Sequence, residues 1–129
     1  EKNRIYSDSR VSERALREIY LKGFEICIAE SDPWMIMTSY NLLNGEHTSA
    51  KYELLNGILR GEWGYDGLLT TDWEIRAPHS EELSAGNDIK MPAGEPDDLK
   101  KALNEGKITR ADLEHSAANV LKMIIKLAH

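Results

Sequence analysis

Residues 62–74 read EWGYDGLLTTDWE, and the architecture turns on where this stretch sits. A loop-like WGYDG runs into Leu68-Leu69, Thr70-Thr71 follow, and the stretch closes on Asp72-Trp73. An ionised carboxylate gains nothing inside a core strand, so Asp72 belongs at a strand's exposed end. The same form occurs upstream in WMIMTSYN, residues 34–41, where four apolar residues lead into Thr, Ser, Tyr and Asn. Such a run without alternation suits a strand covered on both faces, as in parallel sheets. NDIKMP, residues 87–92, is a shorter third candidate that Pro92 forces to stop.

Helical periodicity fills the intervals. Ser12 is a good N-cap for residues 12–30, in which Ala15, Leu16, Ile19, Tyr20, Phe24 and Cys27 recur at three- and four-residue spacing. Cys27, the only cysteine, reads as a small buried residue of that helix, and no internal disulfide can form. LLNGEHTS, residues 42–49, reads as a loop before a second helix over residues 50–62, with Leu54/Ile58 and Leu55/Leu59 facing inward. Residues 74–86 are polar, with a helical turn predicted after Pro78. DDLKKALNEG forms a helix ended by Gly106. Thr109 then caps the last helix with Asp112 as its capping-box partner, and Leu113, Ala117, Val120, Leu121, Ile124 and Ala128 make the expected buried stripe. The acidic pairs Glu81-Glu82 and Asp97-Asp98 read as solvated first-turn residues.

Strands alternating with helices imply right-handed β-α-β units and a parallel α/β sheet. An open doubly wound sheet and part of a (β/α)8 barrel both fit. A full barrel takes about 250 residues, so 129 residues would hold roughly half of one. Either architecture gathers ligands at the carboxyl ends of its strands. Those ends are Thr38–Asn41, Thr71–Trp73 and Lys90–Pro92.

Composition narrows the partners. A net charge of −6 argues against nucleic acid or an anionic membrane surface, which require a basic footprint. No apolar run approaches the roughly 18 residues of a membrane span. The polar start EKNRIYSDSR has neither an initiator Met nor a signal-peptide core, as expected of a cut inside a longer protein. His47, His79, His115 and His129 lack ligand spacing and read as surface or loop residues, so no metal site is expected. No G-x-S-x-G elbow and no phosphate-binding glycine pattern is present.

Position alone leaves Asp72 open as nucleophile, general base, metal ligand or cap of the next loop. Trp73 offers a flat apolar plate to the C–H face of a pyranose, or ordinary packing against the next helix. Tyr40 could hydrogen-bond Asp72, or satisfy its hydroxyl elsewhere. Met37 packs in the core or turns its thioether towards the site.

Taken in order, SERALREIYLKGFE, MTSYNLLNGEHTS, ELLNGILRGEWGYDGLLTTDW and AGNDIKMP resemble glycoside hydrolase family three, over essentially the whole chain. The resemblance implies a partial TIM (β/α)8 barrel: the C-terminal half, roughly its last three βα units, with residues 1–129 a fragment of that one domain and no second domain. It implies Asp72 as the catalytic nucleophile of a retaining β-glucosidase, with Trp73, Tyr40 and Met37 lining the sugar site. Asp72 would attack the anomeric carbon of a terminal β-D-glucosyl residue, and a second carboxyl group would protonate the leaving oxygen. To stay ionised when partly buried, Asp72 needs hydrogen bonds from groups such as Tyr40.

In the β-glucosidase branch the acid is a glutamate on an α/β sandwich domain; in the N-acetylglucosaminidase branch it is a histidine earlier in the barrel. Neither is matched here, and Glu74 points to another face. A Lys-His pair of sugar-binding residues would likewise precede residue 1. Many relatives continue Asp-Trp with Gly-Ala, whereas Glu74-Ile75 resembles a bacterial sub-branch. The implied partners are a β-glucoside or oligosaccharide and the remainder of the parent chain. The fragment by itself is expected to be nearly inactive and, with open sheet edges, to self-associate. A β-xylosidase, an exo-glucanase or a non-catalytic sugar-binding or assembly module remain alternatives, and the compartment stays open.

Overall fold

The computed structural model describes residues 3–128, so His129 lies outside the described residues. The chain is a mixed α/β structure whose central strands run parallel. β1 (Asp8–Ser9) precedes α1 (Glu13–Ala15), which passes through a π-turn (Leu16–Tyr20) into α2 (Lys22–Ser31). β2 (Met35–Met37), a hairpin of β3 (Leu42–Leu43) and β4 (Glu46–His47), and a 3-10 turn (Thr48–Ala50) follow. A π-helix (Glu53–Glu62), β5 (Leu68–Thr70), α3 (His79–Ser84), α4 (Pro96–Asn104) and α5 (Arg110–Leu127) complete the order.

β2 and β5 pair in parallel, with Met35 opposite Leu68, Ile36 opposite Leu69 and Met37 opposite Thr70. This is the arrangement expected of two apolar runs joined by a helix. The third expected strand is reduced to one parallel bridge, Thr70 with Ile89. Its ladder is cut short because the Asp88 side chain, not a backbone carbonyl, accepts the Leu69 N–H at 2.8 Å.

The inner face of the sheet packs against helices. Ile28, Leu55, Leu59, Tyr65, Leu69 and Ala85 form the main core, with Ile36, Leu54 and Trp63 against it. Leu55, Ile58 and Leu59 are buried as their spacing predicts. The π-helix ends with the Trp63 N–H reaching the Ile58 carbonyl, five residues back, at 3.0 Å. A smaller cluster of Leu83, Ala102 and Ile108 holds α3, α4 and the turn before α5 together.

The opposite faces are open, which corrects three expectations. β2 is not covered on both sides: Met35 is 54% and Met37 60% exposed. On the first helix only Leu16 and Ile28 are buried, while Ile19, Tyr20 and Phe24 are exposed and Cys27 is exposed as well. On α5 the buried residues are Ser116 and Asn119, and Leu121 and Ile124 face outward. Polar groups win that face because Asp88 needs partners: Ser116 Oγ donates to its carbonyl at 2.9 Å and Asn119 Nδ2 to its Oδ1 at 2.8 Å.

Two elements escaped the sequence reading. LLNGEHTS is a hairpin, not a plain loop, and β3 pairs with β4 antiparallel. Asn44 and Gly45 both take positive φ, 54° and 92°, as a two-residue type I′ turn requires. β1 lies parallel to β3, with Asp8 opposite Leu42, which carries the N-terminal segment across to the strand ends. The caps came out as read: Thr109 and Asp112 form the reciprocal capping box, and Ser12 Oγ accepts from the Ala15 N–H at 3.3 Å.

Candidate active site at the strand ends

Backbone and threonine contacts stitch the three strand ends together. The Asp72 N–H donates to the Thr38 carbonyl at 3.1 Å, and the Met91 N–H to Thr71 Oγ1 at 2.9 Å. Asp72 emerges half-exposed one residue beyond buried Thr71. Its Oδ1 accepts from the Trp73 N–H at 2.7 Å, which fixes the carboxylate at the turn out of the strand.

Tyr40, at the end of the neighbouring strand, sits beside that carboxylate. Loss of solvent pushes the Tyr40 phenol above its ordinary pKa, and the nearby Asp72 carboxylate pushes it further. The phenol therefore stays a donor at neutral pH. Arg4 opposes the shift, with its guanidinium 4.9 Å from the Tyr40 ring centroid. Arg4 was not singled out from the sequence. No local signal marks it, because it reaches the site only through the pairing of β1 with β3, where the Leu42 N–H donates to the Ser7 carbonyl at 2.8 Å.

Trp73 is 57% exposed, so its indole is available at the mouth and is not packed away. Glu74 turns back on itself with φ at +60°. Arg76 stacks over Tyr6 at 4.5 Å, bringing the N-terminal segment against the loop that follows Trp73. Met37 is placed apart from the other three. With Ile36, Thr38 and Phe24 it borders a largely apolar cavity of about 440 Å³ between β2 and the helices, and Asp72, Trp73 and Tyr40 do not line it. The site residues thus divide into Asp72, Tyr40 and Trp73 at the strand ends, with Met37 on the cavity side.

The acidic pairs need correction. Glu82 is fully buried, not solvated, and its Oε2 takes a 2.7 Å hydrogen bond from Lys90 Nζ. Asp98 is half-buried and accepts the Ser80 N–H at 2.8 Å, whereas Asp97 is solvated. The signal for Glu82 lay in its partner: a lysine inside the short apolar NDIKMP needs a buried counter-charge. Of the histidines, His79 accepts the Glu95 N–H at 3.1 Å, His47 is half-buried and His115 is exposed. Among the described residues no cluster of His, Cys, Asp and Glu could hold a metal ion, and no helix is long and apolar enough to cross a membrane.

Comparison with known proteins gives a consistent result. The family model described as "Glycosyl hydrolase family 3 N terminal domain" matches residues 5–123. Beta-glucosidase A of Butyrivibrio fibrisolvens is 48% identical over 114 residues, 88% of this chain and 14% of that protein. An exo-alpha-(1->6)-L-arabinopyranosidase of Bifidobacterium breve is 39% identical over 98% of this chain and 17% of its own length. The structure of beta-glucosidase 3B from Thermotoga neapolitana in complex with glucose superposes with a TM-score of 0.90 at 42% identity, covering 95% of this chain and 19% of that one. The chain therefore spans less than a fifth of the length of these relatives.

Proposed function

The chain belongs to glycosyl hydrolase family 3, and on that premise we propose that it supplies the nucleophile-bearing part of a retaining β-glucosidase. Residues 1–129 would form one piece of a (β/α)8 barrel, roughly its last three βα units, with no second domain. The parallel pairing of β2 with β5 and the bridge to Ile89 support that placement.

One observation carries the reading: Asp72 ends the central strand with the Tyr40 hydroxyl beside its carboxylate and an exposed indole next in sequence. In the proposed reaction an oxygen of Asp72 attacks the anomeric carbon, and the bond to the leaving oxygen breaks as an acid from outside this chain protonates it. Water then adds to the anomeric carbon of the glycosyl ester and releases the carboxylate, its proton returning to the same outside group. In this scheme the Tyr40 hydroxyl, close to the Asp72 carboxylate, would steady it as a donor. Trp73 offers its face to the sugar ring, and Arg4 offers guanidinium donors at the same mouth. No metal or organic cofactor enters this scheme.

A β-D-glucoside is favoured as substrate because the similar proteins reported above include beta-glucosidases of two species. The arabinopyranosidase relative keeps another exo-glycosidase activity, including β-xylosidase or exo-glucanase, as the second reading. The chain by itself would be nearly inactive, lacking the acid. Its open β2 face, with Trp34 and Met35 exposed, would favour self-association.

The test is mass spectrometry of the complete polypeptide after incubation with an activated 2-deoxy-2-fluoro-β-glucoside. A sugar adduct on Asp72 that is absent in Asp72→Asn is the expected result. Binding of glucosides without any adduct would instead favour a sugar-binding module and remove Asp72 as nucleophile.

A further inference from the structure

Glu82 and Lys90 form the most deeply buried ion pair among the described residues, their side chains 0% and 5% exposed. Removing two charges from water costs several kcal/mol per ion unless further hydrogen bonds compensate. Only part of that compensation goes to the pair itself. Glu82 Oε1 has no hydrogen-bond partner, and burial, opposed by Lys90, pushes the Glu82 carboxyl above its ordinary pKa. Lys90 spends a second donor on the carbonyl of Ala77, 3.0 Å away, while Glu95 approaches at 3.9 Å.

Ala77 closes the loop that leaves the site at Trp73. That loop has few other polar ties: the Trp73 N–H bonds Asp72, Arg76 stacks on Tyr6, and at its last residue the Pro78 carbonyl accepts the Glu81 and Glu82 N–H groups at 3.1 Å. Ile75 and Ala77 are buried, but apolar contacts are non-directional and do not fix where an exposed indole points. The Lys90–Ala77 bond is directional, and it runs from the end of the third strand position to the far end of the loop.

We propose that Lys90 and Glu82 are positioning residues that hold the 73–78 loop, and with it the Trp73 indole, over the strand-end site. Glu82 fixes the ammonium group, and the ammonium group fixes Ala77. The pair then governs how firmly the sugar ring is held, and leaves bond breaking to Asp72. This rests on the reading of Asp72 as nucleophile and Trp73 as sugar plate given above.

An indole that stacks on the ring contributes alike to the ground and transition states, so its misplacement raises KM and leaves kcat nearly unchanged. In the complete polypeptide, Lys90→Met should raise KM for an aryl β-glucoside about tenfold or more while kcat changes less than about threefold. Removing one partner of a buried pair can prevent folding, whereas replacing both with apolar residues is often neutral. The double variant Glu82→Met/Lys90→Met therefore serves as the second probe. It should keep the unfolding midpoint near that of the parent and still show the raised KM, since the Ala77 tether is gone.

A double variant with the parental midpoint and the parental KM would overturn the proposal, as would a fall in kcat at constant KM. Failure of the underlying site reading has a different signature: Asp72→Asn would then hydrolyse the aryl glucoside normally.

Discussion

Asn119 donates from Nδ2 to Oδ1 of Asp88 at 2.8 Å, tying the last helix to the edge of the sheet. The other oxygen of Asp88 takes the Leu69 N–H at 2.8 Å and Arg60 Nη2 at 3.2 Å. One carboxylate, its side chain 2% exposed, thus joins the π-helix, β5 and α5. Asp88→Ala leaves the Arg60 guanidinium, 15% exposed, bonded only to the Gly67 and Gly86 carbonyls without its counter-charge, and leaves a strand amide unpaired. The expected loss is about 3–5 kcal/mol. Urea unfolding checks it, and a loss below about 1 kcal/mol would remove Asp88 as the junction.

Packing makes an asymmetric forecast. Leu69, with no exposed surface, and Ile58, 2% exposed, should each cost about 2–5 kcal/mol on truncation to alanine. Ile124→Ala in the same chain should stay within about 0.5 kcal/mol, because Ile124 is 56% exposed. In the complete polypeptide the barrel proposal expects this contrast to shrink, as a covered Ile124 becomes a core residue. The same unfolding series in both forms of the protein measures the difference.

The capping box at α5 fixes the sign of one pH effect. Asp112 accepts the Thr109 backbone N–H and side chain, which together hold its carboxyl below the ordinary value of 3.8. A depressed folded pKa adds stability that is present above the unfolded value and disappears as pH falls through the folded one. Thr109→Ala should therefore cost about 1 kcal/mol at neutral pH. Asp112→Asn should be less stable than the parent above pH 3.8 and converge with it at more acid pH. Thermal unfolding across that range tests the convergence.

Tyr40→Phe removes the hydroxyl near Asp72 and leaves the ring under Arg4. In the complete polypeptide kcat/KM should fall about tenfold or more, the effect expected of a hydrogen bond to a charged acceptor. Because the phenol pKa is raised, no loss of activity at neutral to mildly basic pH should trace to Tyr40 ionisation. The check is a pH–rate profile whose basic edge coincides in the parent and in the Tyr40→Phe variant.

Local and patterned features followed from spacing and residue type alone. Among them are the two apolar runs, their parallel relation, the inward face of the second helix and the helix caps. The placement of Asp72 at a strand end belongs with them, since a carboxylate cannot remain charged within an apolar strand. The Asn44-Gly45 dipeptide carries a local signal of the same kind, for a two-residue hairpin turn.

Features that depend on partners distant in the chain emerged only on folding. Periodicity identifies which residues share a helix face, but not whether that face meets a neighbour: Leu121 and Ile124 share one and stay exposed, while Ser116 and Asn119 are buried on Asp88. Glu82 looks like any first-turn acid until Lys90 is brought to 2.7 Å. Arg4 meets Tyr40 only because β1 lies along β3. Spacing encodes the geometry of one element, whereas burial and charge pairing depend on which elements meet, and that is settled only when the whole chain packs.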